Sequence, residues 1–231
     1  MLVNTDNDII LSKNGLISTI AWKIKDKVQY AIEGSVFVGC AVIQWLRDSL
    51  NIIETADESE QCAYNVKSTR DIYFVPAFVG LGAPYWDDEA RGTILGLTRA
   101  VNRNHIVRAA LESVAYQTKD VVEVIKKESK IDMNCFKVDG GGTANNYLMQ
   151  FQADILKTEI ILPKFLETTA LGAAYLSGLY VGFYKSINDI SKIHKIKQIF
   201  YPKMDDKTIA TLYSGWKLAV KSARTFKYKV N

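Results

Sequence analysis

Three consecutive glycines, Gly140-Gly141-Gly142, stand between a β-like run, Phe136-Lys137-Val138, and a stretch of helical spacing over 145–156. A strand that turns into a helix in this way commits the region to an α/β layer. Residues without Cβ atoms let backbone N–H groups come close to a ligand, and the N-terminus of the following helix favours negative or polar ligand atoms. The run Asp139-Gly140-Gly141-Gly142-Thr143-Ala144-Asn145-Asn146 is not a Walker A loop, because no Lys-Ser/Thr pair follows it. It does not match G-x-G-x-x-G either. On local grounds a ligand-binding turn and a plain tight connection are equally good readings.

The rest of the chain fits the same class. Ile9-Ile10-Leu11, the turn Lys13-Asn14-Gly15 and Leu16 to Trp22 read as a β-hairpin, and Lys25-Asp26-Lys27 turns the chain into Val28-Gln29-Tyr30-Ala31-Ile32. The period then changes: Val36, Phe37, Cys40, Ile43, Leu46 and Leu50 recur at helical spacing. Ile72 to Val75 and Thr93 to Leu97 read as strands. Asn104 is placed to cap a long helix through Ile106, Ala110, Val114, Val121 and Ile125. A strand over 158–162, a helix over 168–184 rich in small residues and a final helix over 205–225 complete the pattern. Hairpins first, then alternating strands and helices, predict a mixed sheet flanked by helices.

Composition narrows the function classes. With 231 residues the chain is long enough for one large domain, and 29 Lys and Arg against 25 Asp and Glu leave a net charge of only +4. Part of that surplus lies in Lys192-Ile193-His194-Lys195-Ile196-Lys197 and Lys227-Tyr228-Lys229. Without interleaved aromatics or a known motif, such stretches read as a solvated basic face, and no nucleic-acid partner is expected. No apolar run is long enough for a membrane span and the N-terminus is not a signal peptide, so no membrane partner is expected and the cytoplasm is the expected location. Cys40, Cys62 and Cys135 are isolated, which argues against disulfides and zinc; with His105 and His194 far apart, no metal ligands are assigned.

Other candidates read as structural. Asp87-Asp88-Glu89 has no defined partner and reads as a solvated turn, His105 as a first-turn helix residue, and Trp45 and Trp216 as core. Cys40, on an apolar helix, reads as buried.

Taken in order, several longer motifs resemble the C-terminal domain of the FGGY carbohydrate kinases. They are Asn14-Gly15-Leu16, Glu33-Gly34-Ser35-Val36-Phe37, Ile43-Gln44-Trp45-Leu46-Arg47-Asp48, Pro76-Ala77-Phe78-Val79-Gly80-Leu81-Gly82-Ala83-Pro84-Tyr85-Trp86-Asp87, and Gly92-Thr93-Ile94-Leu95-Gly96-Leu97 with Ala109-Ala110-Leu111-Glu112 behind it. The resemblance implies an actin-like ATPase (RNase H-like) lobe over residues 1–231, and ATP with Mg²⁺ as cofactors. Gly141 and Asn145 would meet the adenine–ribose part of the nucleotide, Gly140 is kept with them as a nucleotide-binding residue, and Gln44 would lie near it. The family often carries a nucleotide-contacting glycine four residues before that glutamine. Here the position is Cys40 with Gly39 one place earlier, so both are kept as contacts.

Within the family, the 80–86 loop points to glycerol as acceptor, with another sugar or polyol kinase or a non-catalytic nucleotide-binding module as alternatives. The resemblance assigns no catalytic residue here: the general base and sugar contacts belong to a missing N-terminal half, and one phosphate-binding turn would fall just before Met1. This chain alone is therefore expected to be inactive. The full-length enzyme is expected to bind ATP or ADP and glycerol and to form a homodimer or larger homo-oligomer.

Overall fold

The computed structural model describes residues 1–131, 133–193 and 195–226. Of the basic stretches named above, His194 and Lys227-Tyr228-Lys229 lie outside the described residues.

The chain opens with an antiparallel sheet in which β1 (Leu2–Asp6) and β2 (Ile17–Ile24) flank β3 (Lys27–Glu33). Val3 lies opposite Ile32, and Ile20 opposite Tyr30. Ile9-Ile10-Leu11, expected as a strand, is irregular, and the third strand is Leu2–Asp6 instead. The turn that follows is held by side chains. The backbone N–H groups of Lys13 and Asn14 donate to one carboxylate oxygen of Glu128 at 2.8 and 2.9 Å, and Leu16 N–H donates to Ser12 Oγ at 2.9 Å. Side chains thus satisfy backbone groups here that a ladder would otherwise have to satisfy.

The helix expected from Val36 onward begins later, as α1 (Ala41–Asp48). Gln117, buried, donates its amide to Val38 O at 3.0 Å and holds the segment before α1 in a bend. α2 (Glu58–Tyr64) is a seven-residue helix that turns only Ser59, Cys62 and Ala63 inward.

β4 (Tyr73–Val75) pairs antiparallel with β5 (Thr93–Leu95). The loop over 76–87 folds back on itself, with Leu81 and Asp87 exchanging backbone hydrogen bonds of 2.8 and 3.0 Å. The Trp86 indole donates to Gly15 O at 2.6 Å. Asp87 is not a solvated turn residue. It is 8% exposed, accepts from Arg224 Nε at 2.9 Å and from Ala90 N–H at 3.1 Å. A carboxylate withdrawn from water needs such partners, which sequence spacing does not reveal.

α3 (Arg103–Ser129) is the axis of the molecule and packs against α1, α2 and β4. Its cap is Asn102 rather than Asn104. Asn102 Oδ1 accepts from Asn104 N–H at 3.0 Å, and the Asn102 N–H donates to His105 Nδ1 at 3.2 Å, a capping box that accounts for His105.

β6 (Cys135–Lys137) leads through the glycine run into α4 (Asn146–Leu156), which packs on α3, and then into β7 (Glu159–Pro163). α5 (Thr168–Tyr180) and α6 (Ile187–Ile193) precede β8 (Ile196–Phe200), and α7 (Asp206–Thr225) follows. β6 and β7 run parallel, and β8 joins β7 antiparallel, so this sheet is mixed, as expected, and α4 packs on it. The strands form three separate sheets among the described residues. Trp216 of α7 is fully buried and stacks on Tyr116 of α3 with centroids 5.3 Å apart, while Trp45 packs at the edge of the core.

Candidate functional site

A cavity of about 360 Å³ opens where the first turns of α1 and α2 meet the glycine turn that precedes α4. It is lined by Cys40, Ala41 and Gln44 from α1, by Ser59 and Glu60 from α2, and by Gly141, Gly142 and Asn145 from the turn. Ile43, Leu111 and Leu148 supply apolar wall.

The glycine run divides into three different jobs. Gly140 has φ +84°, a conformation L-residues rarely adopt, and its carbonyl accepts both the N–H and the hydroxyl of Thr143, at 3.1 and 2.6 Å. It shapes the turn but does not line the cavity. Gly141 lies on the wall, and a Cβ placed there would meet nothing within 4 Å. At Gly142 a Cβ would fall 2.4 Å from Cys40 Sγ.

Asn145 is the N-cap of α4. Its Oδ1 accepts from Leu148 N–H at 2.9 Å, and its Nδ2 donates to Ser59 Oγ at 3.1 Å. Glu60 accepts from Asn146 N–H at 3.1 Å. The start of α4 is therefore stitched to α2 by two hydrogen bonds across the cavity rim. Beneath it, Glu112 accepts from Tyr147 OH at 2.6 Å and from Arg108 Nε at 2.8 Å, which fixes the first turn of α4 on α3. Burial pushes the Glu112 carboxyl upward in pKa, while Arg108 and the tyrosine hydroxyl oppose that shift.

α1 begins after Cys40 without any side-chain cap, and the Val42 and Ile43 N–H groups donate to Gly39 O and Cys40 O at 3.2 and 3.0 Å. Cys40 is half-buried rather than buried, and burial raises its thiol pKa, which keeps it neutral. Gln44 is exposed one turn further on.

The structure thus brings Cys40, Gln44, Gly141 and Asn145 to one cavity. Gly39 and Gly140 do not line it, although each is next in sequence to a residue that does. Sequence reading missed Ser59 and Glu60, because nothing in the pattern of a seven-residue helix marks them. The 80–86 loop lies outside the cavity and packs toward Gly15 and α7.

Such an arrangement suits a ligand with a flat apolar part, hydroxyl groups and negative charge. The volume lies within the range of small-molecule sites. The apolar walls suit a ring system, the exposed Gln44 amide suits a polar edge, and the uncapped α1 N-terminus favours an anion. Among the described residues no group of three His, Cys, Asp or Glu is placed to hold a metal ion, and no helix is long and apolar enough to cross a membrane.

The model of the FGGY family of carbohydrate kinases, C-terminal domain, matches residues 1–180. The glycerol kinase of Caldanaerobacter subterraneus subsp. tengcongensis is 56% identical over 223 residues, covering 96% of this chain and 45% of that protein. The crystal structure of Plasmodium falciparum glycerol kinase with ADP superposes with a TM-score of 0.90 at 38% identity, over 96% of this chain and 44% of that one. Gluconate kinase from Lactobacillus acidophilus, at 23% identity and a TM-score of 0.80 over 97% of this chain and 44% of that one, shares the fold. The chain spans a little under half the length of the relatives it matches.

Proposed function

Because the chain belongs to the FGGY family of carbohydrate kinases, whose lobes have the actin-like ATPase fold, we propose that it is the nucleotide-binding lobe of a glycerol kinase. The whole protein then transfers the γ-phosphate of ATP to glycerol, giving glycerol 3-phosphate. One observation carries this reading: four residues assigned to the nucleotide from the motifs, Cys40, Gln44, Gly141 and Asn145, line a single cavity.

The residues present fit adenosine. Ile43, Leu111 and Leu148 supply apolar wall for the ring, the exposed Gln44 offers polar atoms to the ribose, and Gly141 leaves room for close backbone approach. The N-terminus of α1 favours the phosphates. Mg²⁺ bound together with ATP would supply charge neutralisation during transfer, and no residue of this chain is assigned to hold it. Within this chain the task is positioning: α1 and the glycine turn hold the nucleotide from two sides, and the polar rim formed by Asn145 and Ser59 keeps the turn in place. Acceptor binding and the general base are proposed to lie in the remaining length of the relatives. For the whole protein we propose a cytoplasmic homodimer or larger assembly, a location in keeping with three unpaired cysteines.

A coupled assay of glycerol phosphorylation tests the division of labour. This chain alone is expected to show no turnover with ATP, Mg²⁺ and glycerol, and the full-length protein to show it. Turnover by this chain alone would contradict the placement of the base elsewhere.

A further inference from the structure

Cys40 and Gly142 meet across the inner corner of the cavity. A Cβ built on Gly142 would lie 2.4 Å from Cys40 Sγ and 3.7 Å from Cys40 Cβ, whereas one built on Gly140 or Gly141 would meet nothing within 4 Å. Gly142 does not have a positive φ, so its backbone accepts an L-residue. What a Cβ at 142 would meet within 4 Å is Cys40 alone, its sulfur first.

Both walls are braced from behind. On one side Gln117 holds Val38 O at 3.0 Å just ahead of α1. On the other, Thr143 is tied to Gly140 and Asn145 to Ser59. The corner where sulfur meets glycine is therefore where the spacing between α1 and the turn is set. We propose that Cys40 is a positioning residue for the nucleotide. Its sulfur fills the room that a side chain at 142 would take, and the two positions form one steric unit that sets the gap between α1 and the glycine turn. This rests on the nucleotide reading above.

A methyl group added at 142 has two ways out. It can push the turn away from α1, or it can swing the thiol about its one rotatable bond into the cavity. Either route spoils the space that the nucleotide occupies. Removing the thiol leaves that space free for the methyl group, and glycine is well tolerated at the N-cap of α1.

The test is a double-mutant cycle on the 231-residue chain with Cys40→Gly, Gly142→Ala and both together, reading the ADP dissociation constant by calorimetry and the thermal midpoint without ligand. Gly142→Ala alone is expected to weaken ADP binding about tenfold, in line with the usual cost of overpacking. Cys40→Gly alone is expected to weaken it about threefold through the void it leaves, and the double variant to return to within about threefold of the parent. Additive losses in the double variant would overturn the pairing. A loss confined to the thermal midpoint, with ADP affinity unchanged, would overturn the positioning role. If the parent chain fails to bind ADP, the nucleotide reading fails, and with it the positioning role. The steric pairing is then judged separately by whether the double variant recovers the midpoint lost in Gly142→Ala.

Discussion

α3 and α5 invert the usual relation between composition and burial. α3 carries Glu112, Gln117 and Asp120, and all three are buried. α5, with the sequence Thr-Thr-Ala-Leu-Gly-Ala-Ala-Tyr-Leu-Ser-Gly-Leu-Tyr, buries none of its residues, and Leu176 and Tyr180 are 44% and 92% exposed. The difference teaches that burial follows from what surrounds a helix. α3 is wrapped by α1, α2, α4 and β4, and its polar groups are matched one by one: Glu112 to Arg108 and Tyr147, Gln117 to Val38 O, Asp120 to Tyr213 OH and Trp216 Nε1, both at 2.7 Å. Partnered in this way, polar side chains tie α3 to α4 and α7 with defined geometry. α5 keeps much of its apolar surface open, with Leu176, Leu179 and Tyr180 lining an open pocket beside Trp22 and Ile24 of β2.

Three substitutions probe this contrast. Glu112→Ala should have the largest effect, about 3–5 kcal/mol, because it takes the carboxylate partner from both Arg108 and the buried Tyr147 hydroxyl. Urea denaturation reads it directly, and a loss below about 1 kcal/mol would mean that the network does not hold the core. Asn145→Ala should cost about 1 kcal/mol through loss of the α4 cap, with further weakening of the rim at Ser59. Thermal melting of this variant without ligand separates that structural cost from any effect on nucleotide binding. Leu176→Ser should change stability by less than about 0.5 kcal/mol. A loss above about 1 kcal/mol there would show that α5 is covered in solution and would remove the contrast with α3.

How much of this was legible in the sequence depended on whether local pattern or distant contact decided the outcome. The helix at 145–156, the strand following it and the last helix were legible, because hydrophobic period and caps such as Asn145 and Asp205 act within a few residues. The strand at Leu2–Asp6 was not, since its partner is β3, some thirty residues away, and its own residues are half polar. The late start of α1 depends on Gln117, which is 79 positions from the carbonyl it holds. In the candidate site, the glycine turn and Gln44 were visible as motifs. Ser59 and Glu60 were not, because they reach the cavity only through the packing of α2 on α3 and α4. The anchoring of Asp87 by Arg224, 137 residues away, has no local signature at all.

The cavity between α1 and the glycine turn is proposed to bind a nucleotide. Gly141 offers the most direct test, because it lies on the cavity wall and a Cβ there would meet nothing within 4 Å. Titration calorimetry with ADP should show binding to the parent chain and none to Gly141→Leu, while the melting midpoints of the two proteins stay within about 0.5 kcal/mol of equivalent stability. Equal ADP binding by the two proteins, or no binding by the parent, would contradict the account.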